Sequence, residues 1–302
     1  MTNEQKYRKQ EIKDLAESIA LEYFPEKLID PEVIADASGI TYSYGHYLEA
    51  FDGLIQHRAG RFHIFLNLDR NPDAKSPRMR YTFGHETGHY FIDEHRNALI
   101  SGRVREHPSF NPPDTRNVAE AEAEYFSSCL LLPEKKYRAF CYKRPLSGAL
   151  LEEIAIKFQV SLTAVCYKYL EISLFPMALV MSQNGSLKWH QTTPDFKYPW
   201  FPKWNTPLPP NTAAAEYFRN GRTYKTEEIV FADDWFTDLR RVKDEQFWEK
   251  CIYLPSNKVL SILWKKEKQV YWTFDFTNQK DFQLRMDSRG SRSISVKVRP
   301  KF

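Results

Sequence analysis

His85-Glu86-Thr87-Gly88-His89 sets two imidazoles four residues apart, with a carboxylate directly after the first. On a helix this spacing puts both rings on one face, where they can share a single metal ion. Glu86 projects beside that face, within reach of a proton on a metal-bound water. The chemistry is metal-assisted hydrolysis. Two histidines on an ordinary helix can also be satisfied polar residues, but a general base has no use in a purely structural site.

A catalytic zinc site keeps three protein ligands and leaves a further position for water. The third ligand is sought between Asn117 and Leu132, where Glu120, Glu122 and Glu124 fall in one helical pattern. Glu120 and Glu124 share a face, whereas Glu122 lies about 200° round the helix from Glu120. Glu120 is therefore the candidate ligand. Glu124 is the candidate acceptor that orients a ligating histidine through its other ring nitrogen, and Glu122 reads as a solvated surface acid. Tyr90, Tyr125 and His95 are close enough in sequence to help stabilise an oxyanion, and nothing in the sequence selects among them.

These side chains need two helices. Ser76 and Pro77 suit an N-cap and a first helical position, and Met79, Phe83 and Tyr90 can face a core along Arg78 to Ile92. Gly84 and Gly88 would each cost that helix about 1 kcal/mol relative to alanine, and their missing side chains permit close packing around a metal. The second helix, Asn117 to Leu132, carries Phe126, Leu130, Leu131 and Leu132 and stops at Pro133. A strand over Phe62 to Leu68, just upstream, is positioned to pair with an extended substrate. The segment from Leu150 to Leu170 has helix-turn-helix spacing, with Gln159 where the turn commonly takes glycine. Its second helix carries only Lys168 as a base, too few for phosphate contacts, so it reads as a packed helical pair.

The two blocks Arg80-Tyr-Thr-Phe-Gly-His-Glu-Thr-Gly-His-Tyr90 and Glu120-Ala-Glu-Ala-Glu-Tyr-Phe-Ser-Ser-Cys-Leu-Leu-Leu-Pro133 together resemble those of the ImmA/IrrE zinc metallopeptidases. Upstream, Ile29 to Ile40, Phe51 to Ile55 and a strand ending at Asn67 follow the same order, so the resemblance covers roughly residues 20 to 170. It implies Zn2+ held by His85, His89 and Glu120, with Glu86 as general base. It also implies a protein substrate, a helix-turn-helix repressor or antitoxin, whose cleavage derepresses stress, mobile-element or antiphage genes. In the family the C-terminal domain is often a sensor, GAF-like in some members, and single-stranded DNA is implicated as a trigger for some. Two departures stand out: Gly84 replaces the usual alanine, and Glu124 the usual Asn or Asp.

Composition fits a cytoplasmic enzyme. The chain has 302 residues, 42% hydrophobic, with no apolar run long enough to span a bilayer, so no membrane role is expected. The segment Met1 to Gln10 lacks a signal peptide's apolar core. Cys129, Cys141, Cys166 and Cys251 are scattered without metal-site or redox spacing, as buried thiols in a reducing compartment would be. Cys129 reads as a core residue.

The character of the chain changes near residue 176. All seven tryptophans lie at or beyond Trp189, and residues 1–175 carry 22 Lys and Arg against 25 acids while 176–302 carry 21 against 14. The expected class is α+β. Residues 1–175 form a mainly helical zincin-type peptidase domain with a small antiparallel sheet, and 176–302 a basic, β-rich α/β regulatory domain. A hairpin is predicted at Ala178–Ser182 and Leu187–Gln191 around Asn184-Gly185. Strands follow at Val259–Trp264, Gln269–Phe274 and Ser293–Val298, with helical patches at Thr212–Phe218 and Asp244–Glu249 and an irregular loop from Pro194 to Pro210. Arg289, Arg292, Lys297, Arg299 and Lys301 leave the tail basic, which permits single-stranded DNA as an activator beside a small ligand.

Overall fold

A computed structural model describes residues 2–103, 106–109, 117–198, 200–237 and 245–266, with the short pieces 285–286 and 292–293. The chain is α+β, helical in its first part and β-rich after residue 176. α1 (Asn3–Tyr23) begins on a capping box between Thr2 and Gln5 and buries Ile12, Ala16, Ile19 and Ala20, the face expected of helical spacing. α2 (Pro31–Ala37) starts on the Asp30 cap.

β1 (Thr41–Gly45), β2 (Gly53–Arg58), β3 (Arg61–Asn67) and β4 (Glu106–Ser109) make a sheet of order β1-β3-β2-β4. β2 and β3 are a hairpin turned at Ala59 and Gly60, both at positive φ. The chain between β1 and β2 crosses so that β1 runs parallel to β3. The small sheet is thus antiparallel only over β3, β2 and β4. β3 lies inside it with β1 and β2 on its two edges, so the expected strand addition at Phe62 to Leu68 has no edge to use. The outer strands are β1 and β4.

α3 (Pro77–Phe91), α4 (Asp93–Ile100), α5 (Val118–Leu131), α6 (Glu134–Cys141), α7 (Gly148–Phe158) and α8 (Leu162–Ile172) follow. α7 and α8 are the predicted helical pair, joined through Gln159 at φ 50 in the left-handed region. The one base of α8, Lys168, is 1% exposed and donates to Glu171 and to Cys129 Sγ. It faces the interior, as a packed pair requires.

Beyond residue 176, β5 (Met177–Gln183) and β6 (Ser186–Thr192) form the predicted hairpin, with Asn184 and Gly185 both at positive φ. α9 (Ala213–Asn220), β7 (Glu228–Phe231), α10 (Ala232–Trp235), β8 (Gln246–Leu254) and β9 (Lys258–Lys265) complete an antiparallel sheet of order β6-β5-β9-β8-β7. β10 (Arg285–Met286) pairs with β11 (Arg292–Ser293). Of the predicted helical patch at Asp244–Glu249, Asp244 lies outside the described residues and Gln246 onward is instead the start of β8. There Phe247, Glu249 and Cys251 alternate into the interior, and Glu249 accepts from Ala213 N and Ala214 N at the start of α9. Of the other predicted strands, Gln269–Phe274 and all of Ser293–Val298 but Ser293 lie outside the described residues.

One core runs from Ile12 and Ile19 of α1 through Phe126, Leu130, Leu151 and Val165 to Leu179, Leu260, Ile262 and Trp264 of the second sheet. Helices and sheet therefore share apolar contacts across the expected boundary at 175/176. A second core covers the sheet's other face around Val180, Trp235, Phe247 and Leu263, and a third packs α3 on the first sheet through Ile55, Ile64, Leu66, Met79 and Phe83. No helix among the described residues is long and apolar enough to cross a membrane.

Candidate metal centre

α3 is started by Ser76, whose Oγ accepts from Met79 N, with Pro77 at the first helical position. Its first turn is tied to β2 by Asp52, 5% exposed, which accepts from Arg78 Nη2 at 2.8 Å and Arg70 Nε at 3.0 Å. The other face of α3 meets α5. A Cβ at Gly88 would lie 3.1 Å from Phe126 Cδ1 and 3.3 Å from Ala123 Cα, and one at Gly84 would lie 2.6 Å from Ser127 Oγ. The two glycines let α5 close on α3, which carries Glu120 from the first turn of α5 to the histidine face.

His85 Nε2 and His89 Nε2 are 3.1 Å apart, and each stands 3.3 Å from an oxygen of Glu120. All three side chains are buried. A tetrahedral ion with bonds of 2.0–2.1 Å separates its ligand atoms by about 3.3 Å, so the donors present fit such a metal. One shared proton cannot serve two facing imidazole nitrogens and a carboxylate at once; a divalent cation can. Among the described residues this is the one group of His, Cys, Asp and Glu placed to hold a metal ion.

Glu86 is fully buried beside this group, and neither carboxylate oxygen has a hydrogen-bond partner among the described residues. Ser109 and the Ile55 backbone face it from β4 and β2. Its room is made by Gly53 of β2, where a Cβ would fall 2.6 Å from Glu86 Oε1 and 2.6 Å from Thr82 Cγ2. Burial, with Glu120 adding its charge, raises the Glu86 pKa well above the usual carboxylate range. A buried acid without a partner is costly to the fold, and its chemistry is that of a base that holds a proton tightly.

The surroundings differ from expectation at two acids. Glu124 makes no hydrogen bond to His85 or His89 among the described residues. Its backbone carbonyl accepts from Tyr81 Oη at 3.4 Å. Burial and the neighbouring Glu120 raise its carboxyl to about 7. Glu122, expected in solvent, instead accepts from Arg8 through both oxygens and lies 3.1 Å from His95 Nε2. His95 Nδ1 in turn lies 3.2 Å from His89 Nδ1. It is Glu122, through His95, that reaches a histidine of the metal group.

Of the three candidates for oxyanion stabilisation, Tyr90 Oη donates to Ser38 O, Tyr125 Oη donates to Glu171, and His95 stands between His89 and Glu122. Gly53, Asp52, Arg8 and the pairing of His95 with Glu122 carry no local sequence signal, because each depends on where another element docks.

Residues 54–170 match the family described as the IrrE N-terminal-like domain, Peptidase_M78. This span contains His85, Glu86, His89 and Glu120 and omits α1 and β1. Among solved structures, a Mycobacterium tuberculosis transcriptional regulator is similar at 12% identity and a TM-score of 0.47, over 85% of this chain and 81% of that one, a likeness too distant to argue from. No curated protein matches the sequence.

Proposed function

Since the chain carries an IrrE N-terminal-like domain of the Peptidase_M78 family, we propose that it is a zinc-dependent endopeptidase, with His85, His89 and Glu120 holding Zn2+ and Glu86 acting as general base. The observation that carries this reading is the buried three-donor group, spaced 3.1–3.3 Å, beside a buried carboxylate whose oxygens have no hydrogen-bond partner among the described residues.

When bound, zinc supplies a Lewis acid that acidifies water and polarises a peptide carbonyl. Glu86 takes the proton of the attacking water on its carboxylate and returns it to the leaving amine. The same burial that raises its proton affinity keeps competing solvent away from the carboxylate while it carries that proton. Gly53 and Thr82 shape its pocket, and Asp52, clamped by Arg70 and Arg78, fixes β2 against α3 so that the pocket keeps its place.

The substrate in this reading is a helix-turn-helix repressor or antitoxin, a choice supported by the family. The enzyme acts in the cytoplasm, and cleavage relieves repression of stress, mobile-element or antiphage genes. Residues 176–302 gate the activity in response to single-stranded DNA or a small ligand, a role supported by their excess of 21 Lys and Arg over 14 acids.

The test compares wild type, Glu86→Gln and Glu120→Ala for zinc content and for cleavage of a helix-turn-helix protein encoded beside this one. Wild type should hold one zinc per chain, and Glu86→Gln should keep it while cleaving slower by about 10²–10⁴-fold. Wild-type cleavage by Glu86→Gln would overturn the base, and a zinc-free wild type would overturn the site. Gating by nucleic acid predicts binding of single-stranded DNA by the full chain that weakens as salt rises.

A further inference from the structure

His89 presents Nε2 to His85 and Glu120, so its other nitrogen, Nδ1, faces away from the metal group. A neutral imidazole that ligates through Nε2 carries its proton on Nδ1 and has a hydrogen bond to donate. Facing it is His95 Nδ1, 3.2 Å away. If His95 accepts there, its own proton sits on Nε2, which is 3.1 Å from Glu122 Oε2. Glu122 cannot swing away, because Arg8 Nε and Nη2 hold its two oxygens at 2.9 and 2.8 Å. Arg8 is itself held by Glu94 and Glu11, each at 2.9 Å. One assignment of protons satisfies every atom in this line, with each donor facing an acceptor from His89 to Arg8.

We propose, building on the zinc-peptidase reading above, that Arg8, Glu122 and His95 are positioning residues that lock the ring and tautomer of His89 for metal binding. None of them touches the metal or the reacting atoms. Their effect is exerted through the orientation of one ligand, and four elements converge to produce it: Arg8 from α1, Glu122 from α5, His95 from α4 and His89 from α3. The line supplies a hydrogen-bonded neighbour for the outer nitrogen of His89, where Glu124 makes no hydrogen bond among the described residues. A ligating imidazole with a hydrogen-bonded outer nitrogen is worth about 10–100-fold in metal affinity.

A purely structural reading, in which Arg8 and Glu122 only fasten α1 to α5, predicts lost stability with unchanged metal affinity. The two are separated by measuring zinc dissociation constants of the full chain by chelator competition, beside the denaturation midpoint of the metal-free protein. His95→Phe keeps the ring volume and removes both hydrogen bonds, and Glu122→Gln keeps the shape and removes the charge. Each should bind zinc about 10–100-fold more weakly while remaining folded. His95→Gln should recover part of the loss, since an amide oxygen can accept from His89 Nδ1 while the amide nitrogen donates to Glu122. Imidazole nitrogen NMR of the zinc-loaded wild type should show His89 protonated at Nδ1 and His95 at Nε2.

Wild-type zinc affinity in both His95→Phe and Glu122→Gln, with wild type itself binding zinc, overturns the positioning role and leaves the peptidase reading intact. A wild type that binds no zinc overturns both. If His95→Phe fails to fold, the isosteric Glu122→Gln decides alone.

Discussion

Glu120 stands close enough to Glu86 and Glu124 that its charge raises the pKa of both, and all three carboxylates are at least partly buried. Without a metal Glu120 adds like charge beside these two acids, and a cation held at Glu120 would offset that repulsion. Glu120→Gln should therefore stabilise the metal-free protein by about 1 kcal/mol and destabilise the protein in excess zinc, as read from denaturant midpoints in chelator and in zinc. A stability change of the same sign in both would contradict the metal assignment. A different acid sets a pH dependence in the second sheet. Glu249 is fully buried and accepts from Ala213 N, Ala214 N, Trp235 Nε1 and Ser261 Oγ, yet burial still raises its pKa. As pH climbs above the ordinary carboxylate value of 4.5, the unfolded chain loses this proton first, so stability falls until the raised folded value is passed. Glu249→Gln should remove that portion of the slope and lower stability at every pH by about 1–3 kcal/mol, because an amide nitrogen would face the donors. That His85, His89 and Glu120 come together with Glu86 beside them was legible in the sequence, because helical spacing is a local rule. Arg8 and Glu122, 114 positions apart, meet only through the docking of α1, which no local pattern encodes.

At the scale of elements, the site depends on how closely α5 approaches α3. Gly88 faces the backbone of Ala123 and the ring of Phe126, while Gly84 faces the end of a serine side chain. A serine rotates more easily than a backbone retreats, so Gly88→Ala should cost about 1–3 kcal/mol and weaken zinc binding, with Gly84→Ala the milder of the two on both measures. Equal losses at the two positions would show that helix approach is not what they control. The boundaries of α3 and α5 could be read in advance because Ser76-Pro77 and Asn117 are strong start signals and Pro133 is a stop. The start of β8 was not legible as a strand because its pairing and the contacts of Glu249 with α9 are tertiary and override local propensity. The interior position of β3 was equally invisible, since strand order is decided by the crossover between β1 and β2 and not by the strand's own residues.

Across the whole molecule, the core that joins α1, α5, α7 and α8 to β5 and β9 makes the two parts of the chain depend on each other. The tryptophans all lie from residue 189 onward, whereas eight of the ten helices among the described residues precede residue 176. Tryptophan fluorescence and helical circular dichroism thus report on different parts, and they should lose signal at the same denaturant concentration. Leu260→Ala, at a fully buried position of β9, should lower both midpoints together by the equivalent of about 2–5 kcal/mol. Two separated transitions would show the parts to be independent. Arg8 carries the same dependence into the chemistry. It sits in α1, outside the span 54–170 that matches the family, so a graft of that span onto another receptor would transfer every proposed ligand and the proposed base without the brace proposed for His89. Such a transplant would be born metal-poor, and an interchangeable cutting module from this chain would have to bring its first helix along.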